Sequence, residues 1–213
     1  MAPDTSAEGS GSDVAAGWGH PTRRLPRAQR REQIILAATR AFASAGFMDT
    51  SLDDVAAAAG ISRVILYRHF DSKADLYRAV LERCRQRLAN TVGTDRFTKS
   101  AIPALLRAAA ADPDGFRLLF RHASREPEFR DFTDALARSA TEVAYQHLIG
   151  MIPDHRWATW AARLVPVVAT EAVIAWLDAG QPDPDTAPGH VARAVGGVIE
   201  AALSGNEVPV APG

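Results

Sequence analysis

Residues 52–76 of this chain read LDDVAAAAGISRVILYRHFDSKADL, and this stretch decides the fold. Val55 and Ala59 recur at helical spacing, which predicts a first helix with one apolar face. Gly60 ends that helix because glycine tolerates the left-handed backbone that commonly follows a helix, and Ser62 has the hydroxyl that caps the next one. Two short helices joined by a tight turn predict a helix-turn-helix, a unit that places its second helix in the major groove of DNA.

The second helix, predicted from Arg63 to Phe70, has a composition that suits DNA. Leu66 lies four residues before Phe70, so both are expected to face inward. The remaining positions combine cations, a hydroxyl, an imidazole and a small apolar group: Arg63, Val64, Tyr67, Arg68 and His69. Phosphates and base edges are recognised by such mixtures. The alternative is a surface helix in an ordinary helical bundle, because this spacing also occurs in proteins that never bind DNA.

Basic residues are concentrated where the predicted helix-turn-helix lies. The whole chain carries 24 Lys and Arg against 25 Asp and Glu, a formal net charge of −1. Residues 21–91 hold 13 basic and 7 acidic residues, whereas residues 92–213 hold 11 basic and 15 acidic ones. A positive segment that coincides with the motif is the electrostatic footprint expected of a DNA-binding domain.

The rest of the chain also predicts helices. No stretch shows sustained alternation of apolar and polar residues, so no sheet is expected. Predicted helices cover about 27–45, 63–70, 73–91, 100–111, 113–125, 127–149, 153–178 and 189–203, with a short one capped by Thr50 or Ser51. On the helix from residue 73, Arg83, Arg85 and Arg87 are expected to form a solvated face.

The run VAAAAGISRVILYRHFDSKADL, residues 55–76, resembles the DNA-binding domain of the tetracycline-repressor (TetR) family of bacterial regulators. The resemblance covers roughly residues 27–81. It implies an all-α protein of about nine helices in three parts. These are a tail at 1–22, predicted to be disordered because its first 20 residues are rich in Ala, Gly, Ser, Asp and Pro without periodicity, a helix-turn-helix domain at 23–72 and a ligand-binding and dimerisation domain at 73–205. The hydrophobic content of 47% suits such a core.

The resemblance also implies which residues contact a double-stranded DNA operator. Base edges are expected to be met by Arg63, Val64 and Ile65. Phosphates are expected to be held at the matched positions Thr50, Ser51, Tyr67, His69 and Lys73. Asp53 stands where some family members contact a base, and here it either accepts a hydrogen bond from cytosine or simply avoids phosphate. Family members often have a smaller residue in place of Val64, so the operator sequence stays open.

A basic run precedes and enters the first helix. Arg23, Arg24 and Arg27 form a candidate N-terminal arm, because flexible arginines can enter the minor groove, where negative potential is enhanced. The alternative is a solvated basic linker.

The last two long helices carry apolar faces. The resemblance implies that they pair with a second copy of the chain in a two-fold four-helix bundle, which makes the protein a homodimer on a pseudo-palindromic operator. The predicted interface residues are Val168, Glu171, Val191, Val195, Gly196 and Val198. A mid-helix glycine such as Gly196 costs about 1 kcal/mol relative to alanine, which close helix approach would offset. The alternative is packing within one subunit only.

Aromatic residues are frequent after residue 112, and helical bundles bind small molecules in apolar cavities with a few polar groups. The candidate pocket residues are Phe116, Phe120, His122, Phe132, Tyr145, Trp157, Trp160 and Trp176. For each residue taken singly, core packing is the alternative. The effector is expected to be a small apolar or amphipathic molecule that releases a repressor from DNA, and its identity is unknown.

Several classes are disfavoured. The sequence has no nucleophile elbow, P-loop, dinucleotide fingerprint or His-Glu-x-x-His motif, so no enzyme, cofactor or metal is expected. Cys84 is the only cysteine and is interpreted as a small apolar residue rather than a redox sensor. Neither a signal peptide nor an apolar run of ~18 residues is recognised, which favours a cytoplasmic protein without a membrane partner. A helical interaction module without DNA binding is the alternative function.

Overall fold

A computed structural model of the chain describes residues 25–93 and 100–204. Within these ranges the chain forms nine α-helices and no strand. They are α1 (Arg27–Asp49), α2 (Leu52–Ala58), α3 (Arg63–Tyr67), α4 (Lys73–Val92), α5 (Ala101–Ala111), α6 (Pro113–Arg117), α7 (Arg130–Leu148), α8 (His155–Asp178) and α9 (Ala187–Ser204). The all-α prediction is confirmed.

The first three helices form a small head around the inner face of α1. Ile34, Ala38 and Phe42 lie on this face and are fully buried. Gly46 was predicted to end α1, but the helix resumes after it and runs to Asp49. The backbone at Gly46 has φ +83°, so the residue marks a sharp kink that only glycine adopts without strain.

Helix α4 joins the head to the body through one continuous core. Tyr77 of α4 packs edge-on against Phe42, with ring centroids 4.9 Å apart, and lies 4.6 Å from the ring of Phe129. The same cluster of buried residues includes Leu118 and Leu119, just after α6. Residue 73, where the second domain was predicted to begin, is therefore the first residue of a helix that belongs to both parts.

The predicted solvated face of α4 is wrong at one position. Arg83 has only 13% of its side chain exposed and lies between two acids. Its Nε is 2.5 Å from an oxygen of Glu32 on α1, and its Nη1 is 3.4 Å from Asp112, the N-cap of α6. Arg85 and Arg87 are more exposed, as expected. Spacing alone missed Arg83 because its partners lie far away in sequence.

The body is built on α8, which packs against α7 and α9, with α5 covering both of the long helices. Two clusters of buried residues fill it, one centred on Ala161 and Val165 and the other on Val173 and Ile174. Helix α8 continues through Pro166. In the described part of the chain, α8 is long and apolar enough to cross a membrane, with a mean hydropathy of 1.4 over its most apolar 18 residues.

The single helix predicted over 113–125 is three pieces. Helix α6 passes into a π-helical turn, Leu118–His122, and then a 3-10 turn, Ala123–Arg125. The N–H of Ala123 donates to the carbonyl of Leu118 five residues back, which is the π pattern. A further 3-10 turn, Pro127–Phe129, precedes α7, so that helix begins three residues later than predicted.

Candidate nucleic-acid interface

The turn between α2 and α3 is held from outside by α1. Gly60 has φ +64°, the left-handed conformation predicted for it. The side-chain amide of Gln33 on α1 donates to the carbonyl of Ala59 at 2.7 Å. Ser62 occupies the N-cap position of α3, but its hydroxyl accepts no capping hydrogen bond, unlike the prediction.

Thr50 and Ser51, the two residues predicted as alternative caps of α2, have different roles in the structure. Ser51 is the N-cap, and its hydroxyl accepts the N–H of Asp54 at 3.1 Å while the Asp54 carboxylate accepts the N–H of Ser51 at 2.9 Å. The Ser51 hydroxyl also donates to the Asp54 carboxylate at 2.6 Å, and this hydrogen bond, followed by the one from the Ser51 N–H, holds the pKa of Asp54 below its ordinary value. Thr50, by contrast, is 3% exposed, and its hydroxyl donates to the carbonyl of Gly46 at 2.6 Å. That differs from the prediction of a phosphate contact by the hydroxyl.

The side chains of helix α3 differ widely in their exposure to solvent. Val64 is 63% exposed and Tyr67 is 43% exposed, whereas Leu66 is fully buried in the head core. Ile65 is half-buried, so it is less exposed than Val64. The helix ends at Tyr67 rather than Phe70, because the N–H of His69 donates only three residues back, to Leu66.

Arg63 is held in place by two neighbours. Its Nη1 donates to Asp53 Oδ2 on α2 at 2.9 Å, and its Nη2 donates to the Tyr67 hydroxyl at 3.3 Å. The guanidinium carbon also lies 5.5 Å from the centroid of the Tyr67 ring, within range of a cation–π contact. The Tyr67 hydrogen bond, followed by the Asp53 charge, raises the pKa of Arg63. Sequence analysis noticed Asp53 but not this pairing, which spans ten residues.

Two further predicted phosphate ligands flank α3. Lys73, at the start of α4, donates from Nζ to the carbonyl of Met48 at 3.0 Å and lies 4.6 Å from the ring of Phe47. Its ammonium therefore has a fixed position at the edge of the head. His69 is half-buried, and burial, followed by the charges of nearby arginines, Arg27 first, lowers the pKa of its imidazole.

Only one residue of the predicted arm can be located. Arg23 and Arg24 lie outside the described residues. Arg27 is the first residue of α1 and is exposed. It stands on the same side of the head as Arg31, whose guanidinium lies 5.0 Å from the centroid of the Phe70 ring.

Comparisons with known proteins agree with this geometry. The family model described as "Bacterial regulatory proteins, tetR family" matches residues 34–80. The HTH-type transcriptional activator FasR of Mycolicibacterium smegmatis is 31% identical over 215 residues, covering 93% of this chain and 96% of FasR. The chain belongs to the TetR family. It is a DNA-binding transcriptional regulator, and the alternative of an interaction module without DNA binding finds no support.

Other relatives match parts of the chain or its fold. The HTH-type transcriptional regulator TtgR of Pseudomonas putida is 46% identical over 54 residues, 25% of this chain and 26% of TtgR. A TetR-like regulator from Rhodococcus sp. RHA1 superposes with a TM-score of 0.71 at 23% identity, covering 86% of this chain and 100% of that one. NalD, the secondary repressor of the MexAB-OprM multidrug efflux pump in Pseudomonas aeruginosa, has a TM-score of 0.62 at 22% identity, covering 80% and 95%.

In this TetR-family chain, the eight predicted pocket residues do not share one cavity. Phe116 and Phe120 touch, with ring centroids 4.7 Å apart, and Phe132 packs against the core beneath the head. Trp176 packs against the same cluster of buried residues as Phe116 and Phe120 and donates to the carbonyl of Pro182. The remaining candidates lie elsewhere: Tyr145 bonds His155, Trp157 contacts Trp160 on the exposed side of α8, and His122 lies in the π-helical turn. Aromatic content alone could not say which helix face each would take.

A small cavity of about 30 Å³ lies between α4, α5 and α6. Cys84, Leu88, Asp112 and Phe116 are among its lining residues, and only Phe116 was predicted. A drug-sized ligand needs several hundred Å³. Among the described residues, no group of three His, Cys, Asp or Glu side chains is placed to hold a metal ion.

The predicted dimer residues divide between two faces. Val191 and Val195 of α9 are 4% and 5% exposed and pack inside their own subunit, so these two predictions are corrected. Val168, Gly196 and Val198 are half-buried, and Glu171 is exposed. The outer face carries exposed apolar residues that the prediction did not choose, namely Trp157, Trp160 and Val167 on α8, with the small residues Ala194, Gly197 and Ala201 on α9.

Proposed function

We propose that α3 reads operator DNA in the major groove and that a small molecule bound in the body controls this binding. The observation that carries the proposal is the difference in exposure between the two sides of α3. Val64 and Tyr67 are exposed, while Leu66, which lies between them in sequence, is fully buried and anchors the helix in the head core. An exposed Val64 has no role in the folded subunit, and a valine on such a helix suits the methyl group of thymine.

The proposed DNA contacts fall into two groups, those to base edges and those to phosphates. Arg63 and Val64 stand at the beginning of α3, where recognition helices meet base edges, with Ile65 behind them. The Tyr67 hydroxyl and the Lys73 ammonium lie at the rim, where phosphates pass. Ser51 and His69 supply further donors there. Thr50 takes a different role from the one predicted, because its hydroxyl fixes the kink at Gly46 and so positions the start of α2.

Selection of duplexes from a random pool tests this directly. Wild-type protein is expected to recover a pseudo-palindrome and to bind with a steep negative dependence on salt. Arg63→Ala should lose the preference at one position of each half-site. Arg138→Ala, which removes an exposed arginine from α7, is the matched control and should behave as wild type. Equal effects of the two variants would refute the assignment of α3.

An N-terminal arm is proposed for Arg23, Arg24 and Arg27. Deleting residues 1–24 should lower the salt slope by up to about 2, one unit for each phosphate contact removed. Deleting residues 1–20, which contain no Lys or Arg, is the control. An unchanged slope in the longer deletion would show that the arginines form only a solvated linker.

The dimer interface is proposed on the outer faces of α8 and α9. Val167 is 54% exposed and Trp160 is 38% exposed on one subunit, which is unusual for apolar residues that never meet a partner. A Cβ built on Gly197 meets nothing within 4 Å, so this glycine is not needed inside the subunit and leaves room for a second helix. Two such subunits would present α3 to successive major grooves about 34–36 Å apart.

Sedimentation of Val167→Glu tests the interface. Buried between two subunits, the carboxylate should convert the dimer to a monomer, and operator affinity should fall far more than affinity for random DNA, because tethered heads reinforce each other. Met151→Glu is the matched control, since Met151 is 49% exposed in the turn before α8. A Val167→Glu protein that stays dimeric would place the interface elsewhere.

The regulatory ligand is proposed to enter between α4, α5 and α6. The present cavity is too small for it, so binding must move α4, the helix that carries the head. We favour repression by operator occlusion in the cytoplasm, as the family resemblance suggests. Activation is the second candidate, because FasR, similar over nearly the whole chain, is named an activator. Repression and activation can be distinguished with two reporters, one with the selected operator upstream of a promoter and one with the operator overlapping it.

A further inference from the structure

Asp53 lies in the first turn of α2, where its charge complements the helix dipole by at most about 1 kcal/mol at an exposed site. Its neighbour Asp54 completes the capping box with Ser51, so the helix start is already stabilised. The partner of Asp53 is Arg63 on the next helix, at 2.9 Å. Both side chains are about 60% exposed, and ion pairs so exposed contribute little to stability. A carboxylate beside a DNA-facing helix also repels phosphate.

We infer that Asp53 is a specificity-determining residue, which holds the Arg63 guanidinium in the plane needed to read a guanine in each operator half-site. The inference rests on the proposed DNA contact by α3. It names the base that Arg63 reads and assigns the reading geometry to a residue outside the recognition helix.

The hydrogen bonds around Arg63 leave the required donors free. A guanidinium has five N–H groups, of which one goes to Asp53 and one to the Tyr67 hydroxyl. One N–H remains on each of the three nitrogens, and two of these on neighbouring nitrogens can be directed at the O6 and N7 acceptors on the major-groove edge of guanine. Because the side chain is already fixed, binding a base loses less conformational freedom than it would for a loose arginine.

The charge of Asp53 also favours base reading by Arg63 over phosphate binding. The Asp53–Arg63 pair is neutral overall, so the attraction of Arg63 for any phosphate is weakened, whereas its donors still match a neutral base edge. Tyr67 accepts from Arg63 through its oxygen, and its own proton remains available to a phosphate. One cluster thus separates base reading from backbone binding.

The test compares guanine preference in variants of the full chain. First, the operator position that depends on Arg63 is located by comparing selections with wild type and Arg63→Ala. A bidentate arginine–guanine contact corresponds to a preference of about 5- to 150-fold over other bases. Asp53→Ala should abolish most of this ratio while affinity for random DNA stays equal or rises. Asp71→Ala removes another exposed acid near α3 and should keep the ratio.

Replacing the chosen guanine by 7-deazaguanine, which lacks the N7 acceptor, supplies an atomic readout. Wild type should lose affinity for the modified operator, and Arg63→Ala should not distinguish the two duplexes. Helical content of Asp53→Ala, measured by circular dichroism, should equal that of wild type, which separates a positioning effect from unfolding.

Several results would overturn the inference. The position that depends on Arg63 could lack a guanine preference, or Asp53→Ala could retain the full ratio. If Asp53→Ala instead changes a preference for cytosine, the carboxylate reads that base itself. Absence of any selected sequence with wild type would be a different failure, because it removes the proposed function as well.

Discussion

Replacing Gly115 by alanine should disturb the contact between α6 and α4. A Cβ at Gly115 would lie 2.8 Å from Cys84 Sγ and 2.8 Å from Cγ of Asp112, distances at which an atom must shift. Asp112 cannot turn away freely, because it accepts the Gly115 N–H at 3.0 Å as the N-cap of α6. Overpacking typically costs about 1–3 kcal/mol, and losing a cap about 1 kcal/mol.

Alanine regains up to about 1 kcal/mol through its helix propensity, so we expect a net loss of about 1–3 kcal/mol in the free energy of unfolding. For a chain of this size that corresponds to about 2–4 °C in Tm for each kcal/mol. Thermal denaturation measures it. Gly189→Ala is the matched control, because the nearest atom to its Cβ, on Arg193, is 3.8 Å away, and this variant should be neutral or slightly more stable.

Thiol reactivity supplies a local readout of the same change. Burial raises the pKa of Cys84 to about 12, so the wild-type thiol should react slowly with a disulfide reagent at neutral pH. If α6 moves away from α4, the thiol gains solvent and Gly115→Ala should react faster. Wild-type stability together with wild-type reactivity would refute the reasoning about close packing.

Other predictions address the junction, the DNA surface and pH. Arg83→Met should lower the free energy of unfolding by about 1–3 kcal/mol, less than the loss of a fully buried ion pair would cost. A double-mutant cycle with Glu32→Gln should show coupling between the two residues, whereas additive effects would contradict the contact. Tyr67→Phe keeps the ring under Arg63 but removes the hydroxyl, and it should weaken binding to random duplexes by roughly 1–3 kcal/mol in filter binding, with a further loss on the operator because Arg63 loses one of its two partners; unchanged affinity for random duplexes would argue against a phosphate contact. Burial, followed by neighbouring arginines, lowers the pKa of His122 in the folded protein. The unfolded chain therefore binds this proton more tightly, and the free energy of unfolding should fall as pH drops through about 6.5. In denaturant titrations His122→Asn should reduce this dependence on pH, and an unchanged dependence would exclude the assignment to His122.

The helix-turn-helix could be predicted from the sequence because its signals are local. The left-handed turn needs Gly60, and the inward spacing of Leu66 and Phe70 requires only helical geometry. Each of these features sits within a few residues of the element it specifies. The same reasoning placed the head, and the structure differs from it in the length of α3, the kink at Gly46, the missing cap from the Ser62 hydroxyl and the buried hydroxyl of Thr50.

The body was harder to predict because its helices are apolar on more than one side. Val191 and Val195 were assigned to a dimer face but fill the core of their own subunit. Periodicity finds an apolar stripe without saying which neighbour covers it. Arg83 shows the converse error, since a charged residue at a nominally outer position is buried by two acids from elsewhere in the chain.

The contacts of α4 explain how a change in the body would reach the DNA surface. Arg83 links α4 to α1 through Glu32 and to the start of α6 through Asp112, and Arg78 links it to Asp131 of α7 at 2.9 Å. The cavity between α4 and α6 is lined by Asp112 itself. A ligand that widens this cavity must therefore stretch or break the Arg83–Asp112 contact while Glu32 still ties Arg83 to the head. Typical allosteric coupling is about 1–3 kcal/mol, the same order as the loss of stability that we expect for Arg83→Met, so a change in these ion pairs is of the size that the proposed regulation needs.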